Sequence, residues 1–116
     1  MIMNIEKIND NSVVALMPQR VDASNAHLID DEFKELFNTG IKKILIDFSD
    51  NMYLSSAGIR NILAAYKKVN SISGKIALAC LKPQVKNTLE LTGFSFFKEK
   101  LPFFNTIIEG KVFLSV

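Results

Sequence analysis

Ile46-Asp47-Phe48-Ser49-Asp50-Asn51-Met52-Tyr53-Leu54-Ser55-Ser56-Ala57-Gly58-Ile59-Arg60 is the stretch that decides the fold. It leaves an apolar run, Ile41–Phe48, crosses a short polar loop, and enters a segment whose apolar residues recur at helical spacing. Ile44-Leu45-Ile46 has no polar interruption, the pattern of a central strand covered on both faces. The helix is predicted over about Ala57–Asn70, with Ile59, Ile62, Leu63, Tyr66 and Val69 on one stripe. In open α/β sheets the carboxyl end of such a strand is where ligands and partners meet the domain.

The flanking sequence extends this unit in both directions. Upstream, Met3–Ile8 and Ser12–Met17 read as two strands, joined by Asn9-Asp10-Asn11, which suits a hairpin turn. A helix follows, with Ala26, Ile29, Phe33, Leu36 and Phe37 inward, Ser24 or Asn25 as its cap and Gly40 at its end. Downstream, Ser73-Gly74 breaks the second helix and Lys75–Leu81 reads as another buried strand. Pro83 opens a third helix that carries Val85, Leu89 and Thr92 inward and stops at Gly93. Six of the nine phenylalanines lie between Phe94 and Val116, where a short strand around Phe96–Lys98 and a last helix near Phe103–Glu109 are predicted. The order ββαβαβα(β)α calls for one layered α/β domain over residues 1–116. Its sheet is mixed and mainly parallel, with an antiparallel hairpin at the N-terminus and helices packed on it.

Bulk properties exclude several classes of function. A chain of 116 residues that is 48% hydrophobic and 22% charged buries a core without staples. Residues 1–50 hold five basic and nine acidic side chains and residues 51–116 nine and three, but the basic residues are scattered. They form no aromatic-interleaved nucleic-acid motif, so no direct nucleic-acid contact is predicted. Cys80 is alone in an apolar run and reads as a small core residue; His27 is the single histidine and lacks partners. No metal site, cofactor motif, nucleophile–base pair or phosphate-binding glycine loop is present in the sequence, so no enzyme is predicted. No apolar run approaches the roughly 20 residues that span a bilayer and no leader pattern opens the chain, which predicts a cytoplasmic protein with no membrane insertion.

The chemistry concentrates at Leu54-Ser55-Ser56-Ala57-Gly58-Ile59. Serines at a helix start stand beside unpaired backbone N–H groups and the positive end of the macrodipole, a setting that stabilises an anion. One serine suffices as the cap, and Ser55 suits that role. Ala57 and Gly58 keep the surroundings small enough for another protein to approach.

This segment resembles the signature of the STAS family (sulphate transporter and anti-sigma-factor antagonist), an Asp-Ser-Ser-Gly-Leu-like loop after a central strand. Arg20-Val21-Asp22-Ala23, Lys82-Pro83-Gln84-Val85 and Leu91-Thr92-Gly93-Phe94 match further segments of that family in order. The resemblance implies a phosphorylated serine at Ser56, with Ser55 as the second choice. It implies an anti-sigma factor that is also a serine protein kinase as the partner, and a serine phosphatase that reverses the modification. Asp22, Tyr53, Leu54, Ser55, Ala57, Gly58 and Arg60 are the candidate partner-binding residues. Ser55 stands where the family usually carries Asp, and Ala57 where it carries a second Ser. A scaffold or regulatory subunit of a transporter, or of a signalling complex without a sigma factor, is the alternative on the same fold. A receiver-like phosphoacceptor at Asp47, echoed by Lys82-Pro83, lacks the acidic pair that would hold its metal.

Overall fold

The computed structural model describes residues 1–91 and 101–116. Seven strands are present among them: β1 (Asn4–Asn9), β2 (Ser12–Leu16), β3 (Arg20–Val21), β4 (Lys43–Asp47), β5 (Tyr53–Leu54), β6 (Lys75–Ala79) and β7 (Phe103–Phe104). The helices described are α1 (Ala26–Asn38), α2 (Ser56–Ser71), α3 (Pro83–Leu89) and α4 (Ile107–Ser115). The main sheet has the order β1-β2-β4-β6-β7. β1 and β2 pair antiparallel, and the other neighbours run parallel, as the hairpin and the helical crossovers require.

Alternation along the central strands builds two cores. Val13, Ala15, Ile44, Ile46, Ile76 and Leu78 face one way, onto Ile29 and Phe33 of α1, Ile59, Ile62 and Val69 of α2, and Val85 and Leu89 of α3. Val14, Leu45, Ala77 and Ala79 face the other way, onto Leu114 of α4. A Cβ placed on Gly110 would lie 2.4 Å from Leu45 Cδ1, so glycine lets α4 lie against the sheet. This two-sided covering is why Ile44-Leu45-Ile46 carries no polar residue.

Three expectations need correction. The final helix does not begin at Phe103. Phe103–Phe104 forms the parallel edge strand, in which Leu78 N–H donates to the Pro102 carbonyl and Cys80 N–H to that of Phe104. α4 starts four residues later, at Ile107, because Thr106 caps it: Glu109 N–H donates to Thr106 Oγ1 (3.2 Å), while the hydroxyl donates to Glu109 Oε1 (2.9 Å). Cys80 is not fully buried: half-buried just past β6, at φ 62°, it packs against the edge of the second core, and its thiol donates to the Asn105 carbonyl. Asn25 stands at the N-cap of α1 without capping it, because its amide turns back to accept from Asp22 N–H and to donate to the Arg20 carbonyl. The expected strand around Phe96–Lys98, and the roles given to Thr92 and Gly93, lie outside the described residues.

One polar contact joins the two ends of the N-terminal unit. The buried carboxylate of Glu32 on α1 accepts from Met3 N–H (2.9 Å) and Ile2 N–H (3.0 Å), which seats Met3 in the core. Removing the carboxylate strands two backbone donors, one of them buried. Glu32→Ala is expected to lower the free energy of unfolding by about 2–3 kcal/mol, read from urea denaturation. A change under about 0.5 kcal/mol, the range of an inert surface substitution, would show that β1 is held by its ladder alone.

Candidate functional site

The candidate site is assembled by the smallest pieces of secondary structure. β3 and β5, two residues each, form a separate parallel ladder with Arg20 opposite Tyr53 and Val21 opposite Leu54. Met52 N–H donates to the Gln19 carbonyl (2.8 Å), and Ser55 N–H donates to the Val21 carbonyl (2.9 Å). Asn51, fully buried, ties the base of the loop by donating to the carbonyls of Pro18 (2.8 Å) and Tyr53 (3.1 Å). The segment after β2 and the segment after β4 are thus laced together before α2 begins.

That lacing separates the two serines. Ser55 has an extended backbone and is the N-cap of α2: Gly58 N–H donates to its Oγ (3.4 Å), and Ile59 N–H donates to its carbonyl (3.0 Å). Ser55 is half-buried. Ser56 is the first residue of the helix, is exposed, and its hydroxyl has no hydrogen-bond partner among the described residues. Ala57 is half-buried beside it, and Arg60 is exposed one turn further on.

Two of the candidate contact residues lie inside. Leu54 is 2% exposed and Gly58 is buried. A Cβ on Gly58 would sit 2.4 Å from Leu54 Cδ1 and 2.8 Å from Val21 Cγ1. The glycine therefore makes room for the domain's own β3–β5 ladder and not for another protein. Both residues shape the loop from beneath, which removes them from the outer contact set.

The outer rim is formed from both laced segments. Arg20 donates through Nε to Asp22 Oδ2 (2.9 Å) while its guanidinium lies 4.2 Å from the centroid of the Tyr53 ring. Tyr53 and Met52 are 43% and 47% exposed, high for large apolar side chains, and they give this rim an apolar element. Asp22 also accepts at Oδ1 from the backbone N–H and hydroxyl of Ser24. Its carboxyl is held below the ordinary 3.8, first by the hydrogen bonds from Ser24 and then by Arg20. Across the site, Asn61 on α2 donates to the Ala26 carbonyl (3.1 Å) and fixes α2 against the start of α1.

Asp47 points its carboxylate at its own loop and accepts from Ser49 N–H (2.8 Å), and Lys82 donates to the Ser49 carbonyl. Among the described residues no group of three or more His, Cys, Asp or Glu side chains is placed to hold a metal ion. No helix among them is long and apolar enough to cross a membrane.

A mixed sheet with this strand order, helices on both faces and a loop–helix junction at the carboxyl end of β4 defines a layered α/β domain of the STAS type. The STAS domain profile matches residues 3–110, and the chain belongs to that family. A relative named as an anti-sigma factor antagonist, BtrV of Bordetella bronchiseptica, is 30% identical over 94 residues, 81% of this chain and 80% of its own length. The crystal structure of TM1081 from Thermotoga maritima, described as an anti-sigma factor antagonist, superposes with a TM-score of 0.85. It is 26% identical and covers 98% of this chain and 95% of its own. The anti-sigma factor antagonist SpoIIAA in its unphosphorylated form gives 0.79 at 17% identity, over 92% and 90% of the two chains. At that identity the likeness is one of fold.

The rim makes a prediction about charge. Because the folded Asp22 carboxyl titrates below 3.8, any stability it contributes is intact above that value and is lost as the pH falls through the lower folded value. In a carboxyl NMR titration, Ser24→Ala and Arg20→Gln are each expected to raise the Asp22 pKa toward 3.8, since each removes a group that favours the carboxylate. An unchanged value in Ser24→Ala would show that the ion pair, and not the Ser24 turn, sets this carboxylate.

Proposed function

We propose that this chain is a phosphorylation-controlled anti-sigma factor antagonist without catalytic activity of its own. In its unmodified form it binds an anti-sigma factor that is also a serine kinase, and so frees a sigma factor. The acceptor is Ser56. The γ-phosphoryl group of ATP passes to Ser56 Oγ: the bond from the γ-phosphorus to the bridging oxygen breaks, the bond to Oγ forms, ADP leaves, and a base of the partner takes the hydroxyl proton. A separate serine phosphatase returns the chain to its binding form.

The observation that carries this reading is the division of labour between two adjacent serines. Ser55 is committed to the cap of α2, whereas Ser56 is exposed with an unengaged hydroxyl. A phosphate on Ser56 adds about −1.5 to −2 charges beside the N-terminus of a 16-residue helix, without displacing a structural hydrogen bond. The penalty then falls on the complex, where the new charge faces the partner's acidic groups and nucleotide phosphates. A penalty of about 4 kcal/mol weakens binding about a thousandfold. Tyr53, Met52, Ala57 and the Arg20–Asp22 pair supply the surrounding contact surface, with Arg60 at its edge. The relatives named as anti-sigma factor antagonists, and a Bacillus SpoIIAA whose fold has been described in a phosphorylated form, support the same reading.

Incubation with the partner kinase and ATP should place one phosphate on the chain, mapped to Ser56. Ser56→Ala should abolish phosphorylation and retain binding, and Ser56→Asp should weaken binding by about tenfold or more, equivalent to about 1.4 kcal/mol. Ser55→Ala should still be phosphorylated while losing about 1 kcal/mol of stability with its cap. Phosphate found on Ser55, or a Ser56→Asp chain that binds as tightly as the unmodified one, would contradict the proposal. Recovery of a transporter in place of a kinase from native lysate would favour the scaffold alternative.

A further inference from the structure

Arg60 is exposed in the second turn of α2, one turn beyond Ser56. The sequence of α2, Ser56-Ala57-Gly58-Ile59-Arg60-Asn61-Ile62-Leu63-Ala64-Ala65-Tyr66-Lys67-Lys68-Val69-Asn70-Ser71, contains no Asp or Glu, so no acid at i±3 or i±4 offsets it. The guanidinium has no ion pair or hydrogen bond among the described residues, and the side chain is exposed. Arg20, on the rim, is by contrast held by Asp22 and lies over Tyr53.

Arg60 is four residues beyond Ser56. Side chains at i and i+4 lie on one helix face, and the later one leans back toward the N-terminus, over the earlier. We infer that Arg60 is the intramolecular counter-ion of phosphorylated Ser56, closing a charge-assisted contact that exists only in the modified chain. This inference rests on the reading of Ser56 as the acceptor and extends it to how the modified state is held. The planar guanidinium fork matches phosphate oxygens two at a time, which a lysine ammonium does not do. The contact anchors the phosphate on the face of α2. It also withdraws a positive charge from the rim, so modification both adds an anion to the surface and removes a cation from it. Arg60 is thus a positioning residue for the phosphorylated state.

The test uses the full chain with phosphoserine installed at position 56 during synthesis, so it needs no kinase. Failure to find a kinase would count against the proposed function and leave this result untouched. The readout is the second ionisation of the phosphate, followed by phosphorus NMR as the pH is varied at low salt. An adjacent guanidinium favours the dianion, so the Arg60 chain should titrate about half a pH unit below Arg60→Gln, which corresponds to about 0.7 kcal/mol. Arg60→Lys should fall between the two, and the difference should shrink at about 1 M salt. Equal titration of all three chains, or a difference that persists undiminished at high salt, would overturn the inference. So would a loss of thermal stability in unmodified Arg60→Gln, which would assign Arg60 a structural role.

Discussion

The backbone and side chain of Ser55 together set where α2 begins. Its N–H extends the β3–β5 ladder by bonding the Val21 carbonyl, and its hydroxyl receives the N–H of Gly58. These two bonds join a loop that leaves β4 to a loop that leaves β2, and they end the extended backbone at one residue. Everything that distinguishes Ser56 follows from that boundary. Moved one residue later, the start of the helix would give Ser56 the cap and turn its hydroxyl inward.

The boundary is stiff because it is packed from below. Leu54 and Val21 meet under the loop, and Gly58 supplies the space they occupy. Asn51 fixes the base of the loop through two carbonyls, and Asn61 fixes the helix against α1. A junction held at its base, its middle and its far side is expected to accept a surface charge without rearranging, which is what the proposed switch requires. The rim is consistent with this economy of motion. Arg20 is already paired with Asp22 and laid over Tyr53, so it adds shape and apolar surface more than it adds free charge.

The sequence made the sheet legible because its signals are long and periodic. The uninterrupted Ile44-Leu45-Ile46, the hairpin residues and Pro83 each correspond to the element expected of them. What escaped is short or non-local. β3 and β5 are two residues each, below the length at which alternation is visible, yet they assemble the site. The grip of Glu32 on Ile2 and Met3 crosses some 30 positions of chain, and a lone Glu in an amphipathic helix gives no hint of it. Leu54 and Gly58 looked like surface because they neighbour the serines, but proximity in sequence to an exposed residue carries no information about burial in a tight turn. The start of α4 is written locally, since Thr106-Ile107-Ile108-Glu109 has the spacing of a capping box.

The central claim is that the domain presents Ser56 outside a junction that does not need its hydroxyl. The most direct measurement compares backbone amide NMR spectra of the unmodified chain and the chain carrying phosphoserine at position 56. Shifts confined to the residues around the start of α2 and the facing β3 segment, with the amides of β2, β4 and β6 unmoved, are the predicted result. Shifts spread through the central strands, or loss of the dispersed spectrum, would contradict it.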